Sequence, residues 1–395
     1  MQQLRGWGPV FAGMTCMALS AGLIGVYGFF VEHLSAEFGV GVATINLGPV
    51  ALLLVPGLVG PLVGKLVDRV PIRRIMLAGS FIAMMALCMA SAAPALWLAA
   101  LGFVGFSLGL SMYGPVVVNG LLIKLYPGKE AKVLAVAAMG ISFSTALLPP
   151  ITGFLLAYLG WREALASLAV SILVVVWLVI WAGIPADAGV RPKTDEPSAV
   201  KVNIYGHASF WLVGLSVAMA LNAAIVLAIS YPPHFTNRGF SVTEAGFFLA
   251  LSGVAGLGGK FLIVIFARFV GTYTKAVAAC LLLGQAGGLM LLIGAETIGQ
   301  ILPIMVLMGA CSGAFLPMHP FLNSRYFTAD VIGHVNGAQM PLFLPFGLVG
   351  APLAGYMFDR QGNYDLVLVG VSVVLVCAAT LALLLPKVKI ASHSA

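Results

Sequence analysis

The 395-residue chain is 61% hydrophobic and only 8% charged, with a mean hydropathy of +1.07. That balance excludes a water-soluble domain with a polar surface of its own. The formal net charge of +7 invites a nucleic-acid reading, but the basic residues fall in alternate breaks between apolar blocks, so no nucleic-acid partner is expected.

Twelve apolar blocks follow one another, each about 20 residues long, the length a helix needs to cross roughly 30 Å of hydrocarbon. They run over 8–31, 42–63, 75–93, 96–123, 134–158 and 163–184, then 208–233, 243–267, 276–294, 299–324, 335–357 and 366–386. The first block has no clear small-residue cleavage site and continues into the pattern, so it reads as a first span and not as a removable signal. The expected fold is all-α and integral to the membrane, with twelve transmembrane helices in two six-helix bundles.

Between the sixth and seventh blocks the chain turns polar, with Pro185, Asp187, Arg191, Pro192, Lys193, Asp195, Glu196, Pro197 and Lys201. This stretch divides an N-terminal bundle (1–184) from a C-terminal one (208–395, with a short tail), the linker being 185–207. The halves echo each other: Phe38-Gly39-Val40 precedes the second span and Phe240-Ser241-Val242 the eighth. A repeated six-helix unit with a substrate site at the repeat interface is a recurrent transporter plan.

Charge sets the orientation. With the N-terminus inside, 16 of the 20 Lys and Arg residues fall on the inner side, while Arg162, Arg238 and Arg360 fall outside and Lys260 lies within a span. This positive-inside skew predicts cytoplasmic termini and a cell (inner) membrane location. The five cysteines (Cys16, Cys88, Cys280, Cys311, Cys377) all lie in apolar spans without CxxC spacing, which argues against a disulfide framework or metal site.

After the second span comes Gly60-Pro-Leu-Val-Gly64-Lys65-Leu-Val-Asp68-Arg69-Val-Pro-Ile-Arg73-Arg74. Glycines four apart allow a neighbouring helix to approach closely, and a carboxylate among four cations can hold a charge-assisted latch. Asp68, Arg69 and Arg73 are therefore the candidate cytoplasmic gate. The segment resembles the loop 2–3 signature of the major facilitator superfamily.

Further patches resemble one branch of that superfamily, the monocarboxylate transporters and their bacterial oxalate/formate-antiporter-like relatives. They are Gly6-Trp7-Gly8, Tyr126-Pro127 with Lys129, Gly160-Trp161-Arg162, and a late run through Gly333, Asn336-Gly337, Gly347, Gly350-Ala-Pro352, Asp359-Arg360 and Tyr364-Asp365. The resemblance covers nearly the whole chain. It departs at Leu4-Arg5, where the monocarboxylate group usually has an acidic residue, and at Gly337-Ala-Gln339, where oxalate carriers place a lysine.

An ionisable group in the hydrocarbon layer costs at least about 2.5 kcal/mol and is a functional candidate by default. Lys260 is the one formal charge in a span interior, in Ala255-Gly256-Leu257-Gly258-Gly259-Lys260-Phe261; the 13 acidic residues fall in loops or at helix ends. One cation without a carboxylate in the spans points to a monoanionic substrate. The resemblance implies the same position, since carboxylate carriers place an Arg there; a lysine exchanges a planar fork for a point charge. Snorkelling of Lys260 to the inner surface is the competing reading.

His319, within Pro317-Met318-His319-Pro320 of the tenth block, is the candidate for proton coupling. The resemblance makes spans 1, 4, 7 and 10 the cavity walls, so Tyr113, Asn119 and Asn222 complete the proposed substrate-binding set, with Gln339 and Ser144 behind them.

There is no nucleotide-binding loop, metal-ligand cluster or nucleophile elbow, so neither ATP-driven transport nor an enzyme is expected, and no cofactor. The reading is a secondary active transporter of a small organic monoanion, a monocarboxylate above all, working as a lipid-embedded monomer with a proton as the co-transported ion. The alternatives are an efflux carrier for hydrophobic compounds of the same superfamily and a non-transporting membrane sensor.

Overall fold

In lipid every backbone N–H and C=O must be satisfied within the chain, which apolar runs of this length achieve by coiling into helices. The computed structural model describes residues 6–45, 48–189 and 203–386, and among these every regular element is helical. Leu4, Arg5, Arg191, Lys193, Lys201, Lys387 and Lys389 lie outside the described residues.

In chain order the helices are α1 (Gly8–Gly25), α2 (Val31–Phe38), α3 (Val42–Ile45), α4 (Gly48–Arg69), α5 (Ile72–Ser91), α6 (Leu96–Tyr113), α7 (Pro115–Leu125), α8 (Glu130–Leu159) and α9 (Trp161–Gly183). After the linker come α10 (Ala208–Asn237), α11 (Val242–Ile265), α12 (Ala267–Thr272), α13 (Thr274–Ile293), α14 (Ile298–Phe315), α15 (Met318–Tyr326), α16 (Ile332–Ala338), α17 (Phe343–Gln361) and α18 (Asp365–Leu383). Among the described residues, 11 stretches are long and apolar enough to cross a membrane. The one expected span not among these, the second at 42–63, falls mostly on α4, whose 22 residues reach about 33 Å at 1.5 Å per residue.

Several spans are less regular than their hydropathy implies. The fourth is broken between Tyr113 and Pro115 and the tenth at Leu316-Pro317, because proline has no N–H to return to the preceding turn. The eleventh begins earlier than expected, at Ile332, and passes through a 3₁₀ turn over Met340–Leu342 that contains Pro341. The first helical path continues to Phe38 through a 3₁₀ turn at Tyr27–Phe30.

Packing divides the chain into two units, Met1–Pro197 with Asp330–Leu344, and Ser198–Ala329 with Pro345–Ala395. Segment Asp330–Leu344 belongs to the first unit because α16 lies against α4. A Cβ added at Gly60 would stand 2.9 Å from the Gly337 carbonyl, and one at Gly64 would strike the carbonyl of Gly333. Within the second unit α11 and α14 meet in the same manner: a Cβ at Gly309 would strike the Ser252 carbonyl, one at Gly313 the Gly256 carbonyl and one at Gly259 the Ala310 carbonyl. Without a hydrophobic force between helices in lipid, close backbone approach of this kind supplies much of the attraction.

The internal repeat is visible in local geometry. Gly39 ends α2 at φ +63° and Gly239 follows α10 at φ +87°, left-handed conformations that glycine adopts without steric cost. Val40 N–H then donates to Ser35 O and Phe240 N–H to Phe235 O, each at 3.2 Å. The echo therefore pairs each residue with the one 200 positions on, two fewer than the alignment of Phe38-Gly39-Val40 with Phe240-Ser241-Val242 implies.

Each unit also pins three helix ends with one guanidinium, but with acid and base exchanged. Arg162 of α9 pairs with Glu37 of α2 at 2.7 Å and donates to the carbonyls of Ser91 and Ala93, at the end of α5, at 2.6 and 3.0 Å. Arg238, just after α10, pairs with Asp365 of α18 at 2.9 Å and donates to the Ala295 carbonyl, after α13, at 3.3 Å. Arg162 holds the Glu37 carboxyl below the usual carboxylate range.

Candidate functional site

In the second unit the α11–α14 seam fixes where Lys260 stands. Ser252 lies opposite Gly309 and Gly256 opposite Gly313, so the two helices run parallel, and Gly259, the neighbour of Lys260, presses against Ala310. Lys260 is thus carried against the C-terminal half of α14, which ends at Phe315 before α15 begins at Met318. It is 3% exposed. The missing N–H groups of Pro317 and Pro320 leave the carbonyls of Gly313 and Leu316 without their usual helical donors. His319 is the second residue of α15 and is half-buried, and Asn323, one turn on, is fully buried.

Asn222 lies midway along α10, half-buried, and its Oδ1 occupies the space above Gly350 of α17, with no hydrogen-bond donor reaching it among the described residues.

In the first unit Tyr113 is the last residue of α6, at the break before Pro115. It is fully buried, yet its hydroxyl has no hydrogen-bond partner among the described residues. A phenol in that position is costly unless something polar meets it. Asn119 follows on α7 and is half-buried. Gln339 and Ser144 are both buried, and Ser144 Oγ donates to the Ile141 carbonyl at 2.8 Å.

The expected gate separates into distinct roles. Asp68 accepts from the backbone N–H groups of Gly333 and His334 at 3.1 and 2.7 Å. Its ion pair is with Lys124 of α7 at 2.9 Å, and Lys124 also donates to the Val67 carbonyl at 2.7 Å. Burial raises the Asp68 carboxyl, and the Lys124 ammonium with the two N–H donors offsets that only in part. The partner cation is therefore not one of the four neighbouring it in sequence. Arg73 lies 3.9 Å over the Trp181 ring, while Arg69 is exposed.

Two histidines escape a reading from hydropathy. His234 and His334 each fall one residue outside an expected span, yet α10 continues to Asn237 and α16 begins at Ile332. Helices α10 and α16 therefore carry histidines of their own besides His319 of α15. His234 is 2% exposed. Asn323 and Asn336 are also buried polar residues without a spacing signal in the sequence.

The model of the Major Facilitator Superfamily matches residues 11–344. The chain belongs to this superfamily. Human monocarboxylate transporter 11 is 22% identical over 382 residues, covering 91% of this chain and 78% of that protein. An MFS-type transporter of Gibberella moniliformis is 22% identical over 335 residues, covering 81% and 77%. Among solved structures, an E. coli fucose:proton symporter variant superposes with a TM-score of 0.76 at 14% identity, covering 97% of this chain and 98% of its own. The human organic anion transporter MFSD10 gives 0.71 at 16% identity, covering 95% and 98%. These superpositions establish the fold alone. The major facilitator chain is a multi-pass membrane transporter, and its family's members are not enzymes.

Proposed function

We propose that this transporter carries a small organic monoanion, a monocarboxylate in the first instance, by alternating access with a proton as the coupled ion. The observation that carries the reading is Lys260, a buried cation next to Gly259, whose backbone presses against α14 at Ala310. An ammonium placed there offers a point charge to a carboxylate, and the Gly313 and Leu316 carbonyls, without their usual helical donors, are hydrogen-bond acceptors for a substrate hydroxyl. The monocarboxylate transporters among the relatives support the substrate class.

In this reading Lys260 neutralises the carboxylate and His319 hydrogen-bonds it or takes the proton. Asn222 orients the substrate in the second unit, and Tyr113 and Asn119 are the polar contacts offered by the first. Asp68 with Lys124 holds α16 against α4 as the latch, and Arg69 and Arg73 belong to the basic inner face. The transporter works as a monomer in the cell (inner) membrane with both termini cytoplasmic.

The test is uptake of labelled monocarboxylates into proteoliposomes. Lys260→Ala is expected to lose at least 90% of wild-type uptake, and Lys260→Arg to keep a measurable fraction. Undiminished uptake by the alanine variant would overturn the assignment.

A further inference from the structure

The arginine pin of the second unit contains a histidine that the proposed anion site does not use. His234 lies on α10 beyond the apolar span Ala208–Ala228. It is 2% exposed, its Nε2 has no hydrogen-bond partner among the described residues, and its ring meets Phe235 edge-on at 5.4 Å. One helical turn on stands Arg238, paired to Asp365.

The repeat provides the comparison. The position 200 residues earlier is Leu34, also 2% exposed, so an equally buried position is filled by a leucine in the first unit. Packing alone does not call for an imidazole. Leaving a buried ring nitrogen without a partner costs free energy that a leucine would not.

The charged and titratable groups around it are few. At the end of α10 is Arg238, and on α10 itself Tyr231, whose hydroxyl lies 3.7 Å from Met308 Sδ. From α18 comes Asp365. Glu296 follows the pinned Ala295, and α17, whose Gly350 meets Asn222 and Val226 of α10, ends with Arg360, held over the Tyr356 ring. From α11 comes Phe248, while Glu244 is held in the capping box of Ser241 and Lys260 lies four turns further along. His319, Arg325 and Tyr326 of α15 belong to the other end of α10, where His207 meets Phe327; His319 is about 25 Å away along the axis. Burial, then the Arg238 guanidinium, hold the His234 imidazole down to about 4, against a smaller opposing pull from Asp365.

We propose that His234 is a proton-sensing positioning residue: on taking up a proton it draws Asp365 from Arg238 and releases the pin that ties the ends of α10, α13 and α18. An imidazolium there repels Arg238 and attracts Asp365, the two groups that form the pin. In the pinned state the ring stays neutral, whereas in a released, hydrated state it titrates near 6.5. The released state binds the extra proton, so pinning is complete above that pH and weakens as pH falls toward 4. Between pH 7 and pH 5 the released fraction rises about 20-fold. The inference does not depend on which anion is carried.

Hydrogen exchange of the full-length protein in lipid nanodiscs reads the pin without a substrate. After correction for intrinsic rates, amides of segments 295–299 and 363–368 are expected to exchange about 10- to 20-fold faster at pH 5 than at pH 7. His234→Leu, which copies the first unit, should abolish that ratio; His234→Gln serves the same purpose if the leucine variant does not fold. Asp365→Asn should exchange fast at both pH values. A wild-type ratio near one, or the same ratio in the His234 variants, overturns the proposal.

Discussion

Asp68 makes three polar contacts that no other side chain in its helix could make. Two backbone N–H groups of α16 and the Lys124 ammonium converge on it. Both charged side chains are about nine-tenths buried, so Asp68→Asn leaves an ammonium with no counter-charge in a poorly hydrated place. Breaking a buried pair from one side costs about 3 kcal/mol. Thermal unfolding of purified Asp68→Asn should show a clear loss, and adding Lys124→Met should recover part of it, since an isosteric apolar chain removes the stranded charge. An equal or larger loss in the double variant would contradict the pairing. Tyr113 makes the opposite prediction: its hydroxyl meets no partner among the described residues, so Tyr113→Phe should leave unfolding unchanged or raise its temperature while lowering uptake of a bound anion. A substantial fall in unfolding temperature would reveal a structural partner for the hydroxyl.

At the scale of elements, the sequence was most legible where physics leaves few choices. A 20-residue apolar run in lipid must be a helix, and the positions of α5, α9, α13 and α18 follow from hydropathy with small boundary shifts. The breaks in the fourth and tenth spans were harder to read, although Pro115 and Pro317 are visible, because several prolines interrupt nothing. Pro149 and Pro150 sit inside α8, and Pro232 and Pro233 inside α10. The glycines divide in the same way. Gly313 and Gly309 press against backbone, while Gly253 and Gly258 of α11 face open space. Gly313→Val should abolish monodisperse folded protein on size-exclusion chromatography, whereas Gly258→Ala should be tolerated or stabilise α11 by up to about 1 kcal/mol. Equal behaviour of the two variants would mean that the seam is not where the unit is held.

For the whole molecule, charge distribution carries the prediction. In a chain freed of its five cysteines, a cysteine at Gly128 should react with an impermeant maleimide from the cytoplasmic side, and one at Glu296 from the opposite side. The reverse pattern would invert the topology read from the lysines and arginines. Long-range partners were the least legible part of the candidate site. Asp68 sits beside Arg69 in sequence but binds Lys124, and His234 acquires its meaning from Asp365, 131 positions away. Such pairings depend on helix register, which hydropathy does not encode.

Along the seam between α11 and α14, backbone meets backbone at Gly259, Gly309 and Gly313. A joint of backbone against backbone contains no rotamers to exchange and no long side chains to slide, so it has no soft coordinate. The two helices must turn as a single stiff beam. Lys260 directly follows the last welded contact, at Gly259, so any rotation of the beam carries its ammonium along with it.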